Sequence, residues 1–160
     1  MFVQTKLNTM GTRSTYRIIQ KWNDRETKEK GQNEVCLVYL QYDGYPDGHP
    51  LETAEWLSGG RVVNGLSLGE NQVVFNGVGC LAAQLISKYK DGAGGTYIYP
   101  LKFRGECGED YLYDIIVDEE NKTIEYVCYE NGWGETPTTE LFRGSPQEFV
   151  QKYSKVEKES

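Results

Sequence analysis

The amino-acid sequence predicts an α+β fold, a mostly antiparallel β-sheet with two or three helices packed on one face. Three observations carry this. Strand-length runs of apolar, β-branched and aromatic residues outnumber helical ones and come in pairs divided by polar turns. The one long stretch of helical periodicity, residues 77–90, stands between two such sets of strands. The 18 glycines and 12% aromatic residues, with Tyr in the lead, suit tight turns and half-buried sheet faces.

Residues 12–22 (TRSTYRIIQKW) alternate imperfectly and are rich in β-branched and aromatic side chains, which predicts a strand. Residues 23–32 are charged and contain Gly31, an exposed turn. Residues 35–42 (VCLVYLQY) form a continuous apolar run that suits a central strand covered on both faces, paired with the first as a hairpin. Residues 51–57 (LETAEWL) predict a short helix. Pro50 sits in its first turn, where a missing N–H costs nothing, and Gly59-Gly60 stops it. In residues 77–90, Cys80, Leu81, Ala83, Leu85, Ile86 and Tyr89 share one face; Asn76 suits the N-cap, and Lys88 and Lys90 suit the negative end of the helix dipole. Strands follow at 96–103, 111–118 and 123–129, the last two flanking the turn Glu119-Glu120-Asn121-Lys122, with a weaker edge strand at 138–143. Ser145-Pro146-Gln147-Glu148 reads as a capping box that opens a helix to about Tyr153. The chain thus divides into an N-terminal extension at 1–10, a single globular domain at 11–154 and a charged tail at 155–160. Met10 would serve as an alternative start.

Composition bounds the function. The 160 residues suffice for one domain that buries roughly two thirds of its unfolded surface. A net charge of −7 makes nucleic acid an unfavourable partner, because phosphate contacts need a basic patch, and leaves a basic protein partner open. No apolar run is long enough for a signal peptide or a membrane span, so a cytoplasmic location is expected. Cys36, Cys80, Cys107 and Cys128 stand far apart, without a CxxC pair or an adjacent His. Four reduced thiols are expected, with no metal and no cofactor.

Several segments together resemble a known family: Gly11-Thr12-Arg13-Ser14, Tyr39-Leu40-Gln41-Tyr42-Asp43-Gly44-Tyr45-Pro46, Gly48-His49, Asn76-Gly77-Val78-Gly79-Cys80-Leu81-Ala82-Ala83-Gln84, Gly95-Thr96-Tyr97-Ile98-Tyr99-Pro100, and Phe142-Arg143-Gly144-Ser145-Pro146 with Glu148-Phe149. The chain is similar, from about Gly11 onward, to small uncharacterised proteins that recur in bacteriophage and bacterial genomes. The resemblance implies a single domain of phage or bacterial origin, acting in the host cytoplasm if phage-encoded. It supplies no catalytic role.

The densest candidate site is the loop at 42–50, with Tyr42, Asp43, Tyr45, Asp47 and His49, the chain's one histidine. It reads either as turn chemistry leading into a Pro-initiated helix or as a functional loop whose His titrates near neutrality beside a helix N-terminus. Asn76 and Gly77 open the longer helix, where free N–H groups could hold a phosphate or simply form a capped start. Arg13 is the candidate anion-binding guanidinium, against a solvated strand Arg. Cys80 as a thiolate near His49 is set against its place on an apolar helix face. The acid pairs Glu109-Asp110 and Glu119-Glu120 read as solvated turns. Trp133, between Gly132 and Gly134, reads as a partner contact or as a ring folded over its own loop. Two functions follow: a small phage-type accessory module that binds a host protein or an anionic ligand such as a nucleotide, or a small hydrolase or transferase on a phosphorylated substrate, using His49 as acid/base.

Overall fold

The computed structural model describes residues 11–63 and 73–159, with the backbone alone for 155–159; the expected extension at 1–10 and the alternative start lie outside the described residues. The first two strands form the expected antiparallel hairpin, β1 (Ser14–Asn23) with β2 (Lys30–Leu40). Its turn is shorter than the charged composition suggests, because the strand pairing runs on to Asn23 and Lys30. A bulge leaves Val35 unpaired between Cys36 and Glu34. The chain continues through α1 (His49–Ser58), β3 (Gly60–Val63), β4 (Val73–Asn76), α2 (Gly77–Tyr89), β5 (Thr96–Tyr99), a 3-10 turn (Leu101–Phe103), β6 (Tyr111–Asp118), β7 (Thr123–Glu130), β8 (Thr139–Gly144) and α3 (Pro146–Glu159).

Six strands make one sheet in the order β5-β2-β1-β6-β7-β8, and all pairs are antiparallel except β1 with β6. The expected α+β architecture is therefore present, with one parallel pair at its centre. That pair, not residues 35–42, is innermost. β2 lies second from the edge, ends at Leu40, and is covered on both faces only over its last four residues, while Val35 is 38% exposed. The strand expected at 96–103 stops at Tyr99, since Pro100 has no N–H for the ladder and a 3-10 turn follows. The short parallel ribbon of β3 and β4 went unread in the sequence: each strand is four residues long, too short for a periodicity. The last helix keeps its capping box, with Ser145 N–H donating to Glu148 Oε1 at 2.8 Å and Glu148 N–H to Ser145 Oγ at 3.1 Å, but runs on to Glu159.

All three helices pack on the sheet face that carries Tyr16, Ile18, Val38, Tyr113, Ile115, Val117, Tyr126 and Cys128. Leu51, Ala54 and Leu57 come from α1, Val78, Leu81, Ala82 and Leu85 from α2, and Phe149 from α3. Each large apolar side chain so enclosed contributes roughly 1.5–3 kcal/mol against the chain's ordering entropy. The back face carries a smaller cluster of Ile19, Ile116 and Val127. Above it, Arg17 and Arg104 hold the buried Asp114 carboxylate.

Candidate functional site

The pairing register defines one end of the sheet. Thr96, Leu40, Ser14, Tyr111, Glu130 and Thr139 lie side by side in a single row across all six strands. The 42–50 loop leaves this row and enters α1. Asp43 takes φ +56, a left-handed conformation that a short polar side chain tolerates. Gly44 lies so close to β1 that a Cβ would come within 2.7 Å of Ser14 Cβ, so only glycine fits. The loop is then tied down from below. Tyr113 donates its hydroxyl to the Gly44 carbonyl at 2.7 Å, and Tyr126 donates to the Pro50 carbonyl at 2.9 Å.

His49 sits inside a ring of hydroxyl groups. Its Nε2 lies 3.2 Å from Ser14 Oγ and its Nδ1 2.9 Å from Tyr16 Oη; Tyr16 Oη is 2.9 Å from Thr53 Oγ1, which is 2.6 Å from Tyr89 Oη. Tyr89 also donates to the His49 carbonyl at 3.1 Å. One proton arrangement satisfies every member of this ring. Nδ1–H donates to Tyr16, Tyr16 to Thr53, Thr53 to Tyr89 and Tyr89 to the carbonyl, while Ser14 donates to Nε2. Burial pushes the ring down from 6.5 to about 3, so the imidazole is neutral at physiological pH. Among the described residues no carboxylate is hydrogen-bonded to the ring. A base of such low pKa, without an acid to orient it, removes protons poorly, and Ser14 beside it is completely buried and closed to substrate.

Of the other predicted site residues, Tyr42 and Asp43 lie beside His49, whereas Arg13, Asn76 and Gly77 do not converge on it. Arg13 precedes β1 on the Thr15 side of the strand, with Nη1 2.9 Å from where a Cβ on Gly108 would lie, whereas Ser14 and Tyr16 face His49. Asn76 and Gly77 begin α2, yet only the last turn of that helix, at Tyr89, reaches the histidine. Twelve residues at 1.5 Å each separate the two by roughly 18 Å. Cys80, in the first turn, is likewise remote and accepts a bond from Gln84 Nε2 at 3.2 Å. The α2 N-terminus already holds an anion from the same chain: Glu119 Oε2 accepts Val78 N–H at 2.7 Å. At the start of α1, His49 N–H is taken by the Asp43 carbonyl and Pro50 has no N–H, leaving little for a phosphate. Tyr42, Asp43 and Glu52 line a cleft of about 290 Å³ beside His49, and Tyr45 donates its hydroxyl to Asp43 Oδ1 at 3.3 Å. Asp47 is exposed on the same loop.

Two acids read as solvated are instead built in. Glu109 is completely buried and accepts from Thr15 Oγ1 and from the N–H groups of Gly105 and Cys107, all within 3.0 Å. Glu119 caps α2. Neither partner set is near in sequence, apart from the 105–109 turn, so spacing alone gave no signal. Arg17 with Asp114 was missed for the same reason: Nε and Nη2 reach the two carboxylate oxygens at 2.9 and 2.7 Å from a strand ninety-odd residues away. The cysteine sulfurs are all unpaired, and burial with the Glu109 contact pushes Cys107 up to about 12. Among the described residues no group of three His, Cys, Asp or Glu is placed to hold a metal, and no helix is long and apolar enough to cross a membrane. No family model matches the chain, and neither the curated proteins nor the solved structures include a match.

Proposed function

We propose that this domain is a non-catalytic module that binds another protein, engaged through the loops at the Ser14–Tyr111 end of the sheet. The observation that carries the reading is the outward display of large aromatic rings there, with Tyr42 58%, Trp133 56% and Tyr45 37% exposed on two loops that meet at Thr12. Thr12 accepts Gly44 N–H at 3.1 Å and also lines the cleft beneath Trp133. Exposed Trp and Tyr held on rigid loops are the side chains that dominate binding energy at protein interfaces. The hydrolase or transferase reading finds less support, because His49 is neutral, its ring nitrogens are both taken by hydroxyls, and the Arg13 side chain lies on the other side of the strand. A nucleotide is disfavoured by the acids that line the nearby cleft. The phage-like signature in the sequence makes a host cytoplasmic protein the natural partner. The test is retention of proteins from a bacterial lysate on the immobilised chain, compared with Tyr42→Ala and Trp133→Ala. A protein held by the parent chain and released by either variant is expected. Equal retention by all three, together with a nucleotide that raises the melting temperature, would overturn the reading.

A further inference from the structure

We infer that the partner presents a basic, extended segment, which lies across Trp133 with its side chains in the two clefts that flank the ring. This rests on the protein-binding reading above and names the chemistry of the partner. Trp133 is held out on a rigid turn. Thr136 N–H donates to the Trp133 carbonyl at 3.0 Å, and Gly132 packs directly on the Thr136 carbonyl, where a Cβ could not be placed. Beneath, the buried Asn131 donates to the carbonyls of Glu109 at 2.8 Å and Gly105 at 3.2 Å, and accepts from Thr138 Oγ1 at 3.2 Å. A ring so fixed and still 56% exposed loses little conformational entropy when a partner covers it.

The clefts on either side measure about 220 and 230 Å³. Thr12, Asp110 and Tyr111 line the first, Thr136, Pro137 and Thr139 the second, and Glu130 and Asn131 lie at the boundary and belong to both. In an extended chain, residues i and i+2 point the same way about 6.6 Å apart, the spacing needed to straddle one indole ring. The clefts at this end are lined by acids, with the nearby bases set outside them: Arg13 lies beside Gly108, Lys88 pairs with Glu52 at 3.6 Å and Lys90 donates to the Thr96 carbonyl at 2.9 Å. Asp110 and Glu130 line the Trp133 clefts, Asp43 and Glu52 line the cleft beside His49, and no Lys or Arg lines any of the three. The clefts at the opposite end of the sheet are mixed in charge, with Lys21, Arg25, Arg61 and Lys122 beside Glu119 and Glu120. The asymmetry selects a cationic partner at the Trp133 end and repels nucleic acid and anionic lipid.

The probe is a fluorescent peptide of about twelve residues repeating Arg-Ser-Leu, with a Glu-Ser-Leu peptide as its counterpart, read by anisotropy at about 50 and about 300 mM salt. The Arg peptide is expected to bind at low salt and to weaken about tenfold at high salt. It should weaken by a similar factor in Trp133→Ala and in Glu130→Gln, with no binding of the Glu peptide. Both substituted residues are exposed, and unchanged melting temperatures establish that the variants fold. Equal affinity for the two peptides, no binding of the Arg peptide, or self-association lost in Trp133→Ala would each overturn the inference. If the Arg peptide fails but a lysate protein is still released by Trp133→Ala, the binding-module reading stands and only the basic segment falls. If both fail, both fall.

Discussion

Lowering the pH should destabilise this domain through His49 before Asp24 and Asp118 contribute. The histidine's folded value of about 3 lies below its ordinary 6.5, so the sign is fixed. Above pH 6.5 neither state binds the proton and the residue contributes nothing to pH dependence. Between 6.5 and about 3 only the unfolded chain takes the proton, which favours unfolding, so stability falls as the pH falls. At about pH 5 the one and a half units crossed, at roughly 1.4 kcal/mol each, amount to about 2 kcal/mol. The figure is insensitive to the folded value as long as that stays below about 4. For a domain of this size it corresponds to a melting temperature lower by about 4–8 °C. Asp24 and Asp118, whose carboxyls are held below their usual 3.8 by hydrogen bonds from Thr27 and Asn121, act in the same direction, since the unfolded chain again takes the proton first, but only below about pH 4. The assay is urea unfolding at intervals from about pH 7.5 to about pH 4.5, with the imidazole followed by NMR. His49→Gln should be less stable at neutral pH, since the hydroxyl ring loses a member, but should lack the slope between 6.5 and 5. A ring that titrates near 6.5 in the folded protein, or a slope that persists in His49→Gln, would refute the argument.

Three further outcomes follow from buried polar partners. Asp114→Ala leaves the Arg17 and Arg104 guanidiniums without their shared carboxylate, and should cost about 3 kcal/mol in urea unfolding, the lower end for a broken buried pair because Arg17 keeps Glu34 at 2.8 Å. Glu119→Ala removes the acceptor for Val78 N–H and should cost about 1 kcal/mol, with faster hydrogen exchange confined to the first turn of α2. Tyr113→Phe strands the Gly44 carbonyl and should cost about 1–2 kcal/mol by the same unfolding measurement, while Phe at the exposed Tyr45 should cost far less.

The elements that announce themselves locally were legible. The β1–β2 hairpin, the β6–β7 hairpin around residues 119–122, the α2 helix and the α3 capping box all join segments that are adjacent in the sequence. What escaped the sequence was non-local. The parallel pairing of β1 with β6 joins Ser14 to Tyr111, and no pattern within either strand distinguishes a parallel from an antiparallel neighbour. It is this pairing that brings Arg17 to Asp114 and Thr15 to Glu109, so the misreading of Glu109 as a solvated acid follows directly from the unread sheet order.

The same topology accounts for the composition of the 42–50 loop. Its glycines, prolines and single histidine are concentrated there because the chain must pass from β2 across the mouths of β1 and β6 into α1, pressed so closely on Ser14 that Gly44 has no room for a side chain. A charged histidine in that position would be costly, and the hydroxyls of Ser14, Tyr16, Thr53 and Tyr89 are what make a neutral one comfortable. Residues that serve the loop's packing point inward and are chemically satisfied. Tyr42, Tyr45 and, on the facing loop, Trp133 remain 58%, 37% and 56% exposed. Since apolar rings are held in water only at a cost of roughly 25 cal/mol per Å² of exposed surface, covering these three rings is where the proposed partner would gain most of its binding energy.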